Sequence, residues 1–593
     1  MQNQSTFFSG LLWPKIIFCA LVVLALTLRL LALDAISESI YATFLLPDEQ
    51  YYHDWAIEIL QGKPSLHAFE YAPLPAYLLA LIYKISSVDP INFRVANIFF
   101  NTLGCVFIYF IAKSLAGRNW ALLALALAAC SGELIFYSVV PLKTSLSFLL
   151  FAGVIHLVLL LLRHSSRILF FSLGIVLGLS AMVRPNVVIL LPGIILVIIV
   201  FHESLLLKKS LVPLLITGGF LFASLPLPLH NYLSSKHFSF LPVQSGFLFY
   251  CTNNIDNPTP FYRPVSFASS HPEEQGIQFT IEASKREQRA LDSSQAAQYW
   301  QKQVIREALD HPQFFLKKLG LKTLMLFNFS ENGDHYNIGF IRNIIPYFNM
   351  LLPQYWIVAL LGYTAIVVGC FRSPQIKGLA IILCSYLLTL VLYSSGNRFN
   401  LPLLAIFIPA SVWLCRHICQ LFSTRKLREI VTITLLVVIF CFIGRLKVEG
   451  ADDLSYHYNL LAFIHNKNNN SAKAVHYWEE SKKLNQSYSD TPSLFLAGYY
   501  YQRYGKQKAI ATLHSIPDNS FHGSAKYLTL GDIYKHHGQY DMAAQAYRKS
   551  LDINSGQLRA RKELISILAR IDPSRIGEEV ATLKYIQTFY KKD

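Results

Sequence analysis

The sequence predicts an all-α, polytopic membrane protein: a helical bundle of about eleven spans, an external loop domain and a C-terminal α-solenoid. Of its 593 residues, 53% are hydrophobic and 15% are charged, and several apolar runs reach the ~18 residues that cross a membrane. A long polar segment, about 230–350, interrupts these runs. Beyond residue 444 the runs stop and a repeat of about 34 residues begins. We therefore expect a membrane-embedded domain, 1–444, and a repeat domain, 445–593.

The first apolar run, Ile16 to Leu33, has no small-residue cleavage site behind it, so we interpret it as a retained span. Arg29 interrupts this run, and we expect its side chain to snorkel to the nearby interface; the alternative is a buried functional charge. The apolar runs predict spans at about 14–33, 91–115, 119–139, 142–163, 167–183, 187–203, 211–229, 351–371, 376–394, 399–421 and 427–444.

Basic residues cluster in alternate short loops between these spans, among them Lys208-Lys209 and the most basic loop, Arg416 to Arg428. The positive-inside rule makes those loops cytoplasmic. Membrane topology therefore explains the formal net charge of +16, and we expect no nucleic-acid partner. We place the protein in the plasma or inner membrane, with the intervening loops and the repeat domain on the external, periplasmic side.

Two adjacent carboxylates, Asp48 and Glu49, follow the first span at its external end. Charged groups at such a position are candidates for a functional site, because burying them uncompensated costs several kcal/mol or more. They are also candidates for acid/base chemistry. The alternative is that they only cap the amphipathic helix predicted for Glu49 to Leu60. A second amphipathic stretch, Leu74 to Ser86, is likewise expected to lie along the membrane plane.

Segment 230–350 begins with turn-forming residues, Asn253 to Pro258, and becomes polar and helical from about Ile281 to Leu309. We expect it to form an external loop domain that closes over the membrane face.

In the repeat domain, three leucines each precede an alanine by the same interval; the pairs are Leu461 and Ala474, Leu496 and Ala509, and Leu530 and Ala543. This pattern resembles tetratricopeptide repeats, helix pairs stacked into a solenoid whose concave face holds a protein partner. Helix pairs with only a structural role would give a similar pattern.

Eight of the nine cysteines lie in or beside spans, so no disulfide framework is predicted. Cys415 and Cys419 lie one helical turn apart beside His417. At the end of a span, lone thiols are commoner than a metal site. We therefore predict no metal site, and no cofactor is needed; a divalent metal has no support from the sequence.

The external face combines the carboxylate pair with several cations, including Lys143, Arg184 and Arg398. This combination suits a membrane-anchored donor with a phosphate leaving group. A carboxylate would take the proton from an acceptor hydroxyl, and Lys or Arg would offset the charge that develops on the departing phosphate. Because nucleotide sugars are not generally available outside the cytoplasm, an outward-facing transferase is expected to use a lipid-carried donor. The alternative is that these cations only meet lipid headgroups.

Over about 14–420, the chain resembles the polyprenyl-phosphate-sugar-dependent membrane glycosyltransferases, which include protein O-mannosyltransferases and the lipid A aminoarabinose transferase. The motifs that carry the resemblance, in order, are Pro47-Asp48-Glu49-Gln50-Tyr51-Tyr52, Phe69-Glu70-Tyr71-Ala72-Pro73-Leu74-Pro75, Phe93-Arg94-Val95, Val183-Arg184-Pro185-Asn186 and Ser395-Gly396-Asn397-Arg398-Phe399-Asn400-Leu401-Pro402. The resemblance implies an inverting transfer of a sugar from a polyprenyl-phosphate donor to a lipid, glycan or protein acceptor.

By this resemblance Asp48 is the catalytic base at the acceptor, with Glu49 beside it. Glu70 matches a Glu that helps form a metal site in aminoarabinose transferases, but the Lys that follows it there is Tyr71 here. Many relatives carry an Asp or Glu in the loop before the fourth span, where this chain has Lys143. The residues expected to bind substrate are Glu70, Arg94, Lys143, Arg184 and Arg398.

Two other functions stay open at this point. An oligosaccharide ligase that uses a polyprenyl diphosphate donor can also combine many spans, a large external loop and repeats, but such ligases lack a carboxylate pair after the first span. A non-enzymatic scaffold or lipid transporter would recruit a partner through the repeats. Transporters bind near the bilayer midplane, whereas the charges of this chain gather at the outer surface.

Overall fold

The computed structural model describes residues 2–590, apart from 64–67, 203–209, 237, 270, 331–334, 351–352, 394–395, 452 and 485–489. The basic pair Lys208-Lys209 and Ser395 of the last motif lie outside the described residues. Within the described ranges every regular element is a helix, which confirms the predicted all-α class.

The membrane domain up to residue 235 contains α1 (Gln2–Ser37), α2 (Pro47–Leu60), α3 (Leu74–Ile85), α4 (Pro90–Ala116), α5 (Arg118–Cys130), α6 (Gly132–Ser138), α7 (Thr144–Leu161), α8 (Arg167–Val183), α9 (Leu190–Phe201), α10 (Leu211–Ser224) and α11 (Pro226–Ser235). A 3₁₀ turn, Pro185–Ile189, joins α8 to α9.

The loop domain, which is predicted to be external, contains α12 (Gln244–Asn253), α13 (Pro272–Glu287), α14 (Ser293–Asp310), α15 (Pro312–Phe327) and α16 (Ile338–Arg342), followed by a 3₁₀ turn, Pro346–Met350. The chain then returns to the membrane through α17 (Tyr355–Cys370), α18 (Pro374–Leu392), α19 (Asn397–Asn400), a 3₁₀ turn (Leu401–Leu403), α20 (Leu404–Ser423) and α21 (Leu427–Gly444).

The repeat domain consists of the helix pairs α22 (Ser455–Lys467) with α23 (Ser471–Lys483), α24 (Thr491–Tyr504) with α25 (Lys506–His514), and α26 (Gly523–His536) with α27 (Tyr540–Ile553). It ends with α28 (Leu558–Ile571), a 3₁₀ turn (Pro573–Arg575) and α29 (Ile576–Tyr590).

Local sequence explains where several helices begin. The two interfacial helices start within two residues of their predicted starts, and Pro47 occupies the first position of α2, where its missing N–H costs nothing. The Asp89 side chain accepts a hydrogen bond from the Ile91 backbone N–H and caps α4. In the loop domain, the stretch predicted to be helical from about Ile281 to Leu309 is helical, but it contains parts of two helices. Gln288 lies in the left-handed region with φ of 53° and separates α13 from α14.

The expected spans all coincide with apolar helices, but their number is not confirmed. Among the described residues, 6 helices are long and apolar enough to cross a membrane alone, and the bent pairs α5–α6 (53°) and α10–α11 (52°) raise this to 8. The helices α8, α9 and α17 are apolar but shorter. Breaks at Ser131-Gly132 and Leu225-Pro226 divide what the hydropathy pattern predicted as straight spans.

Arg29 is buried rather than snorkelling to the interface, so the prediction for this residue is wrong. Its NH1 group donates to Ala25 O (2.7 Å) and Ala129 O (3.3 Å), and its NH2 group donates to Ala128 O (3.3 Å). Its Nε donates to Asn101 Oδ1 (3.0 Å). The two alanine carbonyls lie at the C-terminus of α5, where the bend removes their partners within the helix and the helix dipole favours a cation. The break in the third predicted span therefore supplies the acceptors that hold the charge inside the bundle.

Glycines allow α8 and α10 to pack at close range. A Cβ atom added to Gly174 would lie 2.1 Å from Ile216 O, and one added to Gly219 would lie 2.2 Å from Phe171 O. Small residues at such a crossing let helix backbones approach in a membrane, where packing rather than water exclusion drives association.

The repeat domain contacts the rest of the protein near both of its ends. Leu460, Leu461 and Ile464 of α22 belong to the main core of the membrane domain, and the Phe463 ring packs 5.8 Å from the ring of Phe44, in the segment that leads to α2. Near the other end, Asn554 Nδ2 donates to Gln278 Oε1 of α13 at 3.0 Å. The array is therefore anchored both to the segment before the carboxylate pair and to the loop domain.

Candidate functional site

Three segments far apart in sequence meet at Asp48. The start of α2 supplies Asp48, the segment before α16 supplies His335, and α19 supplies Arg398. Asp48 Oδ2 lies 3.0 Å from Arg398 NH1 and 3.0 Å from His335 Nε2. The three side chains are 16 to 18% exposed, so the cluster lies at the edge of the protein interior with access to solvent.

Asp48 is ionised in this cluster. Burial by itself would raise the pKa of Asp48, but the charges and hydrogen bonds of His335 and Arg398 outweigh it and hold the pKa well below its usual range. The Tyr71 hydroxyl donates to the other carboxylate oxygen at 3.5 Å. Asp48 is thus a fixed anion that receives donors on both oxygens.

Glu49 faces away from Asp48 and organises the local fold. Its Oε2 accepts from the Leu46 backbone N–H (2.9 Å), which is one half of a capping box at the start of α2, and its Oε1 accepts from the Tyr336 hydroxyl (2.9 Å). Burial raises the pKa of Glu49, partly offset by these hydrogen bonds and by the charge of Arg94. Glu49 therefore ties α2 to the residue that follows His335.

Lys143 lies at the start of α7 and belongs to the same pocket. Its Nζ donates to the Tyr52 hydroxyl at 2.8 Å. Burial and the positive charge of Arg184 lower the pKa of Lys143 to about 7, although Asp48 acts in the opposite direction. This ammonium is therefore under-compensated in the free protein, and a nearby anion would stabilise its charged form.

Arg184 has unused hydrogen-bonding capacity. Its NH2 group donates to the Arg398 carbonyl (3.0 Å) and is 3.4 Å from Thr144 Oγ1, and its guanidinium stacks on the Phe399 ring at 4.7 Å. The residue is only 4% exposed. Among the described residues, its Nε and NH1 atoms are buried without a hydrogen-bond partner. Because buried donors left unpaired are costly, these atoms make Arg184 a candidate to bind an anionic group.

The two other predicted substrate residues lie at the margin of this cluster. Arg94, at the start of α4, donates from NH2 to Tyr41 O (2.9 Å) and Ala42 O (3.2 Å) and so holds the segment that leads to α2. Glu70 lies against Gly276 of α13, since a Cβ atom added there would meet its Oε1 at 2.4 Å. The part of the chain that the structure describes contains no group of three or more His, Cys, Asp or Glu able to hold a metal ion.

Sequence reasoning brought Asp48, Lys143, Arg184 and Arg398 to one face, and the structure places them close enough to influence one another's charge. It did not identify His335, which sits in a polar, turn-forming run, Asn332 to Asn337, inside the large external loop. The only sequence signal was a histidine in that run immediately before an apolar helix. Nothing local to the run indicates that its His335 reaches the start of α2.

The pocket has an excess of positive charge. Lys143, Arg184 and Arg398 are close enough for their charges to influence one another, and Asp48 is a carboxylate that acts on Lys143 and Arg398. Such a cluster, with buried unpaired N–H groups, suits an anionic ligand with several acceptor oxygens, such as a phosphate group.

Two family models match segments of the chain. The model for dolichyl-phosphate-mannose-protein mannosyltransferase matches residues 70–228, and the model for a tetratricopeptide repeat-like domain matches residues 461–567. These matches confirm the predicted resemblance: a membrane glycosyltransferase-type segment followed by a tetratricopeptide-like region. The first segment contains Glu70, Arg94, Lys143 and Arg184, whereas Asp48 lies before it.

No curated protein matches the chain. Among solved structures, the archaeal oligosaccharyltransferase AglB from Archaeoglobus fulgidus, in complex with an inhibitory peptide and a dolichol-phosphate, is 11% identical with a TM-score of 0.41, and the match covers 77% of this chain and 58% of that one. The oligosaccharyltransferase of the same organism tethered to an acceptor peptide is 13% identical with a TM-score of 0.41, over 84% of this chain and 59% of that one. The chain thus spans less than two thirds of the length of these structures.

Proposed function

We propose that this protein is a membrane glycosyltransferase that moves one sugar from a polyprenyl-phosphate donor to an acceptor hydroxyl or amine on the external face, with inversion. The observation that carries the proposal is the buried Arg184, whose Nε and NH1 atoms have no hydrogen-bond partner among the described residues. It lies beside Lys143 and Arg398 in a pocket that also holds the ionised Asp48. A phosphate group would fill the hydrogen bonds that this arrangement leaves open.

The residues divide between the two reactants. In a single displacement, an acceptor oxygen or nitrogen forms a bond to the anomeric carbon while the bond from that carbon to the phosphate oxygen breaks. The electron pair of the broken bond stays on the phosphate, where Lys143, Arg184 and Arg398 would offset the added negative charge. The acceptor proton must leave on the opposite side. Asp48, the predicted base, lies with His335 on that side in this proposal.

The surrounding elements suit a lipid-anchored donor. The helix α3 presents Tyr77, Leu81 and Ile85, which are 47, 55 and 79% exposed and follow one another at intervals of one helical turn. Such an apolar stripe on an interfacial helix fits the acyl region of a membrane. The donor chain would reach the pocket from the bilayer, and the acceptor would come from the external side, where the repeat domain is proposed to lie.

The test compares donor binding and donor turnover in purified protein in lipid nanodiscs. Probes are short-chain polyprenyl-phosphate mannose, glucose and aminoarabinose, with released polyprenyl phosphate as the turnover signal. Arg184→Gln and Arg398→Gln should each weaken donor affinity by ~10- to 150-fold, the equivalent of losing a charge-assisted hydrogen bond of about 1.5–3 kcal/mol. Arg372→Gln is the matched control, because Arg372 pairs with Glu429 in a loop predicted to be cytoplasmic.

Unchanged donor affinity in both pocket variants would refute the phosphate assignment. Preferential binding of a polyprenyl diphosphate oligosaccharide would support the ligase alternative. Binding of lipid without release of polyprenyl phosphate would support a transporter or scaffold.

A further inference from the structure

We infer that Tyr386 of α18 is a positioning residue for the proposed phosphate site and that it acts through Phe399. This inference rests on the proposed function and deepens it. It names the residues that hold the guanidinium groups of Arg184 and Arg398 in place before a donor binds.

The ring of Phe399 lies beside both guanidinium groups. Its centroid is 4.7 Å from Arg184 Cζ and 5.0 Å from Arg398 Cζ, within the ~6 Å over which an aromatic face attracts a cation. The two like charges repel each other. The shared ring opposes this repulsion, so it keeps both cations in one place even before an anion binds.

The backbone that carries this ring is held by donors from two other elements. Arg398 O accepts from Arg184 NH2 (3.0 Å), and Phe399 O accepts from the Tyr386 hydroxyl (2.8 Å). Because the last four carbonyls of a helix have no partner within it, the four-residue helix α19 depends on such donors. Tyr386 is 1% exposed, so solvent has little access to this bond.

The same face of α18 is tied to the segment that carries Arg184. Thr389 lies one helical turn after Tyr386 and therefore on the same face of the helix. Its Oγ1 atom accepts from Asn186 Nδ2 at 2.9 Å, and Asn186 lies in the 3₁₀ turn that follows Arg184. One face of a single helix thus holds both segments that carry a guanidinium group.

The C-terminal end of α18 is held in turn by the loop domain. Asn253 Nδ2 donates to Leu392 O (2.9 Å), and Lys322 Nζ donates to Tyr393 O (3.0 Å) and to Asn253 Oδ1 (2.7 Å). These bonds satisfy carbonyls that a helix end leaves unpaired. Because α18 is fixed at this end, Tyr386 can hold Phe399 in one position.

The test measures the Kd of short-chain polyprenyl phosphate and of its mannose, glucose and aminoarabinose derivatives for the full-length protein in lipid nanodiscs. Tyr386→Phe keeps the ring that packs 5.1 Å from Phe151 and removes only the hydrogen bond to Phe399. It should weaken affinity by about 3- to 12-fold. Tyr363→Phe is the matched control, because its buried hydroxyl also donates to a backbone carbonyl, Leu326 O (3.1 Å). The control should lower thermal stability to a similar degree and leave affinity unchanged.

Further variants test the route through the ring. Phe399→Leu should weaken affinity by ~5- to 30-fold, whereas Phe399→Tyr keeps an aromatic face and should stay within about threefold of the wild type. In an Arg398→Gln background, Tyr386→Phe should cause a much smaller further loss, because the group that it positions is gone. A merely structural role would give the same factor in both backgrounds.

The inference is overturned if Tyr386→Phe binds polyprenyl phosphate as tightly as the wild type, if Tyr363→Phe weakens binding equally, or if Tyr386→Phe loses the same factor in the Arg398→Gln background. Each of these results leaves wild-type turnover intact, so the proposed function would stand. Absence of wild-type release of polyprenyl phosphate from all three sugar derivatives would instead overturn the proposed function. If Tyr386→Phe does not fold, equal affinities of Phe399→Leu and Phe399→Tyr would contradict the shared ring.

Discussion

Donor affinity should fall as the pH rises above about 7, because Lys143 then loses its charge. Burial and the neighbouring Arg184 lower the pKa of Lys143 from 10.5 to about 7 in the free protein. A bound phosphate diester is a close anion and would raise this pKa back towards its ordinary value. Above pH 7 the free protein holds the lysine neutral and the complex holds it charged, so binding takes up a proton.

The expected size follows from this proton uptake. Below pH 7 Lys143 is protonated in both states, and its contribution to affinity is constant. Above pH 7 each unit of pH weakens binding by up to about tenfold, so pH 9 should bind up to about 100-fold more weakly than pH 7. The diester phosphate of the donor does not titrate in this range.

The assay is the Kd of short-chain polyprenyl-phosphate mannose in nanodiscs between pH 6 and 9. Lys143→Arg should bind with little dependence on pH, because a guanidinium stays charged throughout. Lys377→Arg, near the start of α18 at the end predicted to be cytoplasmic, should keep the wild-type slope. A wild-type affinity that is flat from pH 7 to 9, or a Lys143→Arg variant with the wild-type slope, would refute the reasoning.

Three further predictions concern the scaffold. Removing 491–593, which keeps the first helix pair and its core contacts, should weaken transfer to the native acceptor while donor affinity survives; loss of donor affinity would make the array part of the catalytic fold. Arg29→Met should destabilise the protein by at least ~3 kcal/mol in a denaturation assay, because it leaves buried carbonyls unpaired. The control Leu30→Met, at an exposed position of the same helix, should be neutral. Equal destabilisation by the two substitutions would contradict the buried hydrogen-bond network of Arg29. A reporter active only outside the cytoplasm should be active after Ser330 and the C-terminal Asp593, which lies outside the described residues, and silent after cytoplasmic fusion sites such as Ser165 and Ser423; the opposite pattern would reverse the orientation.

Much of the pocket was predictable because charged residues stand out against apolar runs. Asp48, Arg184 and Arg398 each lie at the end of a hydrophobic stretch, and their order along the chain follows a family pattern. The topology predicted from the apolar runs and basic loops then places these three residues at the same face of the membrane. The repeats were predictable because the spacing of Leu and Ala is regular from Leu461 to Ala543, and the family-model match covers residues 461–567.

Other features depend on tertiary contacts that a single sequence does not display. His335 comes close to Asp48 only because the loop domain folds back over α2, and Glu49 turns to Leu46 and Tyr336 rather than to the pocket. The fate of Arg29 was mispredicted because its acceptors are backbone carbonyls, which every residue carries. A bend exposes those carbonyls, and hydropathy averages do not detect a bend.

The buried position of Arg29 has a consequence for how the chain enters the membrane. Its acceptors Ala128 and Ala129 follow it by 99 and 100 residues. At a synthesis rate of about 5–20 residues per second, roughly 5–20 s pass between the emergence of the arginine and that of its carbonyl partners. During this interval the first helix carries a charge that lipid disfavours. We therefore expect the first helix to remain beside the insertion machinery until α5 is made, so that the early spans leave it as an assembled group.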